Sequence, residues 1–541
     1  MKLILSILSI SLISFQLFSQ AIDKNNTIID IDSYTTFQGY DETEAHLGQG
    51  EYQIFLDNID GVLDKPLVIV DGFDPEDSNN INDLYGFLSY NSPPQNYFDE
   101  LRDMGFDIVI LNFPNYTRPS DGVTINGGAD YIERNGLVLV NLIETINTDK
   151  VGDEKLIVVG PSMGGIVTRY ALTYMEQNAI DHKTGLWVSF DAPHLGANIP
   201  ISFQYAINYM AELTSDEDMI NLRDVRLNSP AAKQLLLDHY TTHLVDGEPI
   251  EQDLNIQLPT PHEFRAQFMT TINALGFPTQ TRNIAISNGS NNSTMIESPG
   301  ATIMDTHLDL GSNLGLDMKL HYTPEANTTD YEVDYLQPTF NGAPLGDAYY
   351  TFSESSSLSS GLDSCPGGAA YFENFFGSDP TDLQQQILDA LLLDASSFIP
   401  SLSSLVIDEE NWYNSIDGSE STPFEAYING DDNEQHLSFH QEYVNFLNEE
   451  ITALSLNDTA LASQFVLLGN PVKETIRFKI DRKYSELIIE IFTMTGQLIS
   501  KHQINNNGEI HHIHSPKKSG VYYFVISNNN KQTLKKFVVN R

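Results

Sequence analysis

Apolar and polar positions change rhythm repeatedly along the chain, and each rhythm predicts an element. Residues 28–56 alternate in short stretches, which reads as strands. Residues 66–70 and 105–113 are near-continuous apolar runs, suited to strands buried on both faces. Over 127–147, Ile132, Val138, Leu139, Leu142, Ile143 and Ile146 recur at helical spacing. Residues 156–159 form another buried-type strand, after which Met163, Ile166, Val167, Tyr170, Ala171 and Tyr174 return to the helical period. Residues 186–190 and 283–287 add two more strands. Strands alternating with helices predict an α/β fold whose mainly parallel sheet is covered on both faces.

Other stretches break this rhythm. Residues 199–276 read as helices around 202–213, 229–240 and 261–275, with Phe203, Tyr205, Tyr209, Met210, Phe264, Phe268 and Met269 as exposed-looking apolar positions. Such an insertion is expected to form a cap, the plainer reading being helices that complete the core. Residues 300–380 alternate strands and loops and have no predicted place; 382–393 is helical. Ser438 suits the N-cap of a helix over 439–451, with Tyr443, Val444, Leu447 and Ile451 on one face. Beyond 464, short strands and turn glycines predict a small β-sandwich. A chain of 541 residues exceeds one ordinary core. The expected division is 1–21 as a signal peptide, 22–455 as the α/β domain with a cap over 199–276, 456–463 as linker and 464–541 as sandwich.

The leader reading rests on Lys2, the mainly apolar run 3–18 and Ser19-Gln20-Ala21, a small-residue cleavage site. It predicts a soluble exported protein. Cys365 is the sole cysteine, so no intrachain disulfide can form and a buried, inert thiol is expected. The formal charge of −46 is uneven: 464–541 holds twelve Lys/Arg and five Asp/Glu, so the acidity belongs to the body. An acidic body argues against nucleic acid and anionic membranes as partners. No cofactor or metal is predicted, calcium being a guess from charge alone.

Chemistry enters at Gly160-Pro161-Ser162-Met163-Gly164, a G-x-S-x-G sequence between a buried-type strand and an amphipathic helix. A serine at so sharp a turn has a strained backbone, and neighbours two positions away must lack bulk for strand and helix to approach. Its hydroxyl then stands clear of the sheet, and the Met163 amide faces the same space. An incidental serine in a glycine-rich connection is the bland alternative; the flanking strand and helix favour a nucleophile.

Three stretches, Val70-Asp71-Gly72-Phe73, the 160–164 elbow and Ser189-Phe190-Asp191-Ala192-Pro193-His194-Leu195-Gly196, together resemble the secreted lipase and esterase branch of the α/β-hydrolase fold. The resemblance implies a serine hydrolase cleaving carboxylic esters, with an ester or lipid small molecule as substrate. It implies oxyanion amides at Met163 and Phe73, and the chain order serine, acid, histidine. Asp71 replaces the family's usual histidine and is expected to make the mouth more acidic. The family's histidine precedes the last helix, which points to His436, in a run Asn433-Glu434-Gln435-His436. The end of the seventh strand, the acid's usual place, offers Asn288; Asp191 after the sixth strand is the expected acid and Asp305 the runner-up. Residues 464–541 resemble the type IX secretion (Por) sorting domain, implying the type IX machinery as partner, passage through the periplasm, and a secreted or surface location. A carbohydrate-binding module is the alternative there, with His511-His512-Ile513-His514 expected on a surface loop. A peptidase or amidase on the same fold, and an inactive binding or adhesion protein, are the functional alternatives.

Overall fold

The computed structural model describes residues 27–541 apart from 215, 377–379, 456–464, 469–470, 481–485, 494–496, 506–509 and 529–530. The signal-peptide and linker readings lie outside the described residues. Eight strands form the central sheet: β1 (Ile29–Asp32), β2 (Gln49–Phe55), β3 (Pro66–Val70), β4 (Asp107–Asn112), β5 (Leu156–Pro161), β6 (Thr184–Phe190), β7 (Arg282–Ser287) and β8 (Ala426–Asn429). Their spatial order is β1-β2-β4-β3-β5-β6-β7-β8. Every pairing from β4 to β8 is parallel, and β2 runs against its neighbours.

The period of two along each strand decides which helices it meets. Val68, Val70, Val109, Leu111 and Val158 face the layer of helices Ile132–Asp149 and Met163–Gln177. Leu67, Ile69, Ile108, Ile110, Ile157 and Val159 face the layer of Tyr97–Asp103 and Gln441–Ser455. Burying each such side chain contributes roughly 1.5–3 kcal/mol before chain entropy is counted, which is why the strands read as unbroken apolar runs. The last helix begins at Gln441, so Ser438 is not its N-cap. Leu437 instead takes a left-handed turn, φ 65°, and the Ser438 carbonyl accepts from Asn288 Nδ2 at 3.0 Å.

The unplaced region holds an antiparallel sheet whose main strands are Thr302–Gly311, Leu314–His321, Tyr331–Phe340 and Tyr349–Ser353. It covers helix Ile201–Thr214. Phe203, Tyr205, Tyr209 and Met210 are therefore buried, against Met304, Leu316, Met318, Leu336 and Phe372, and not exposed as expected. Phe264 and Phe268, on helix Glu263–Leu275, are buried too, Phe268 in the core shared with Met163–Gln177. A helix face that looks stranded in the sequence has a partner a hundred residues downstream.

Towards the C-terminus, strands Phe465–Leu467, Thr475–Ile480 and His511–His514 form one sheet and Glu486–Thr493, Leu498–Asn505, Gly520–Asn528 and Lys531–Val539 another. Ile476, Phe478, Ile489, Phe524 and Phe537 fill the core between them. His511–His514 is thus a strand, not a loop, with Ile513 buried. Among the described residues no helix is long and apolar enough to cross a membrane. Cys365 is buried, and burial pushes its thiol up to about 12.

Candidate active site

Three parallel strands, β3, β5 and β6, end at the same edge of the sheet, where open α/β sheets place their ligands. Ser162 follows β5 directly, with φ 51° and ψ −131°. A non-glycine residue held there costs on the order of 1–3 kcal/mol. The turn is pinned by Ser162 N–H to the Phe190 carbonyl and by Gly165 N–H to the Ser162 carbonyl, both 2.9 Å. The flanking glycines are required by close approach. A Cβ at Gly160 would lie 2.5 Å from the Gly164 carbonyl oxygen, and one at Gly164 2.7 Å from that of Val70.

Asp191 follows β6 in a left-handed turn, φ 45°, its amide donating to the Ile286 carbonyl at 2.7 Å. Its side chain is fully buried. His436 arrives 274 residues after the serine, on a loop anchored to both neighbouring segments. The His436 amide donates to Ala369 O at 2.9 Å, Glu434 N–H to Asn288 O at 2.8 Å, and Leu437 N–H to Asn288 Oδ1 at 2.8 Å. The imidazole edge meets the Phe398 ring at 4.9 Å between centroids.

These placements bring the three side chains into one hydrogen-bonded chain. Asp191 Oδ2 lies 2.7 Å from His436 Nδ1, and His436 Nε2 lies 2.9 Å from Ser162 Oγ. An ionised carboxylate only accepts, so Nδ1 carries the hydrogen and Nε2 is left as acceptor for the serine hydroxyl. Asp191 Oδ1 accepts from Asn288 N–H at 3.1 Å. Asp305 takes no part: its side chain is exposed on the strand Thr302–Gly311 and paired with Lys319 at 2.7 Å. His194 is buried 2.8 Å from Ser189 Oγ, and burial, with Arg169 nearby, pushes its pKa well below the ordinary value.

Phe73 and Met163, the expected oxyanion donors, line the same cavity as Ser162 and His436. Asp71 does not acidify this mouth. Its side chain is buried, Oδ1 accepts from Gly72 N–H at 2.7 Å, and burial, reinforced by Asp74, raises its carboxyl well above the usual carboxylate range. The cavity holds about 320 Å³, and Ile199, Ile207, Leu222, Leu227, Leu235 and Leu236 from the helical insertion line it together with Phe398 and Ile399. The insertion therefore packs into the core and also lines the cavity beside Ser162. The acidic group Asp57, Asp64 and Asp107 is the one cluster with metal-like spacing among the described residues. It lies at the opposite end of β4, and both Asp107 oxygens accept backbone amides, those of Asp57, Asp64 and Lys65.

The sequence gives no sign of Gly368, and it names Asn288 and Glu434 only by position, without a role. Asn288 joins the acid to the histidine loop; Gly368 packs directly on Asp191; Glu434 accepts from Asn288 Nδ2 at 3.1 Å and from the Tyr443 hydroxyl at 2.8 Å. Their roles rest on contacts between segments far apart in the chain, which only the fold brings together.

Fold and site together define an α/β hydrolase of the serine type. Within that class, residues 126–228 match the family described as "Putative serine esterase (DUF676)", and residues 469–540 match the "Secretion system C-terminal sorting domain". That tail marks the chain for type IX export, to the cell surface or the medium. Comparison with curated proteins gives no match. Similar solved structures include the Bacillus licheniformis lipase BlEst2, at 14% identity over 46% of this chain and 73% of that one, TM-score 0.23. Est1E from Butyrivibrio proteoclasticus has 9% identity over 44% and 73%, TM-score 0.23. The peroxisomal α/β-hydrolase Lpx1 from Saccharomyces cerevisiae has 11% over 48% and 73%, TM-score 0.27.

Proposed function

We propose that the protein is an exported carboxylic-ester hydrolase working through an acyl-enzyme. Ser162 Oγ attacks the acyl carbon while His436 Nε2 takes its proton. The imidazolium then gives that proton to the leaving alkoxide oxygen as the carbon–oxygen bond breaks. Asp191 holds the imidazole in the tautomer this needs and stabilises its charge. The Met163 and Phe73 amides receive the tetrahedral oxyanion, each contributing on the order of 3 kcal/mol to the transition state. Water activated by His436 next attacks the acyl-enzyme, and the acid product leaves with Ser162 restored. Residues 22–455 form the hydrolase unit in this reading and 464–541 the sorting unit, with the periplasm as the route outward.

The observation that carries the proposal is the unbroken chain from Asp191 through His436 to Ser162, opening on an apolar cavity. The test is hydrolysis of p-nitrophenyl esters by the wild type and by Ser162→Ala. A loss of at least 10³-fold in kcat is expected, oxyanion stabilisation and binding leaving a residue of activity. Equal rates would remove Ser162 from the mechanism. Cleavage of anilides but not esters would favour the amidase alternative, and inertness to both a binding protein.

A further inference from the structure

The cavity beside Ser162 carries more than a reaction class. We propose that it is an acyl site for medium chains, of about eight to twelve carbons, and that the π-helical segment Leu222–Leu227 sets its length. This rests on the serine-esterase reading above. A cavity of about 150 Å³ walled by aliphatic side chains accommodates benzene, six carbons. At about 320 Å³ this one accommodates roughly twice as many carbon atoms. Its lining is chiefly aliphatic, with Arg226, Tyr371, Asn374 and Gln435 as the polar side chains besides Ser162 and His436, so a chain bearing hydroxyls or charge would leave such groups unpaired wherever they met the aliphatic wall.

Leu222 and Leu227 line the cavity from one turn of π-helix, a local widening often found at functional sites. Between them, Arg226 also lines the cavity, is partly exposed and pairs with Glu76 at 2.9 Å, tying the segment to the loop after β3. Ala369 and Ala370 form part of the lining near His436, small residues where bulk would fill the space. An acyl chain held here stays bound through both acylation and deacylation, so its binding energy serves both transition states, whereas an alcohol contributes only to the first.

Burial of each methylene is expected to raise kcat/KM about fourfold. The experiment measures kcat/KM at monomeric substrate concentrations for p-nitrophenyl acetate, butyrate, octanoate, decanoate and palmitate, with the isomeric alkyl esters ethyl decanoate and decyl acetate alongside. The full chain is used as wild type, Leu227→Trp and Ala370→Phe, so that one misfolded variant does not decide the result. The proposal predicts a steep rise to octanoate or decanoate, a fall by palmitate, and a decanoate-to-acetate ratio reduced at least tenfold in each folded variant. An optimum at acetate, a rise continuing through palmitate, or an unchanged ratio in both variants would overturn it while leaving the esterase reading intact. Decyl acetate outperforming ethyl decanoate would assign the cavity to the alcohol and overturn it as well. Failure to hydrolyse any ester would instead overturn the reading on which it rests.

Discussion

Gly368→Ala tests whether the acid is held by packing. Gly368 lies on the strand Gly367–Tyr371, paired with Ile399, and its backbone is open to alanine. A Cβ there would overlap Asp191 Oδ2 and stand 3.0 Å from Asp191 Cγ. The carboxylate has no free direction of retreat: it is fully buried, and its other oxygen accepts the Asn288 amide at 3.1 Å. The oxygen displaced is the one bonded to His436 Nδ1, so the 2.7 Å contact lengthens and the imidazole loses its fixed orientation. Misplacing a catalytic group by about 1 Å costs around 10²-fold in rate, and overpacking adds about 1–3 kcal/mol of instability. Steady-state kinetics on p-nitrophenyl octanoate should therefore show kcat lowered about 10²-fold with KM within a few-fold, in a protein that still unfolds cooperatively. Combining the change with Asp191→Asn should cost little beyond Asp191→Asn alone, because both act through one contact. A Gly368→Ala enzyme with kcat within threefold of wild type would refute the placement of Asp191 against this strand.

Other outcomes follow from neighbouring contacts. Asn288→Ala removes the side-chain bonds to Leu437 and Ser438 that hold the His436 loop, and should lower kcat tenfold or more with KM nearly constant; a change confined to KM would count against this positioning role. Asp334 is buried with neither oxygen hydrogen-bonded to another described group, and burial, then Glu332, raises its pKa well above the carboxylate range. The native state then keeps a proton the unfolded chain has lost above about pH 4, so this group makes stability fall as pH rises through that window. Asp334→Asn should accordingly raise Tm more at pH 8 than at pH 4.5, and a pH-independent difference would contradict it. Deleting residues 469–541 should leave the enzyme inside a host equipped for type IX secretion, detected by fractionation; normal export would show that the signal lies elsewhere.

The candidate site was legible to unequal depth. Ser162 was readable because its requirements are local: a buried strand, small residues at 160 and 164, and a helix lie within twenty residues. Asp191 was nearly as local, at the end of a strand pattern. His436 needed the chain order and a recognisable last helix, yet that helix starts three residues beyond the proposed Ser438 cap. Asn288 draws the loop away from helical geometry there, and nothing near 438 encodes it. Gly368 and the sheet over Ile201–Thr214 were hidden for the same reason. Their effects depend on contacts spanning more than a hundred residues, whereas periodicity reports only whether a face is apolar.

In the proposed mechanism one hydroxyl, Ser162 Oγ, is the activated nucleophile. Peptide mapping of the full chain after reaction with a fluorophosphonate measures this directly. A single stoichiometric adduct on Ser162 is expected, formed at least 10²-fold more slowly in His436→Ala. An adduct on another residue, or none on a folded wild-type protein, would contradict it.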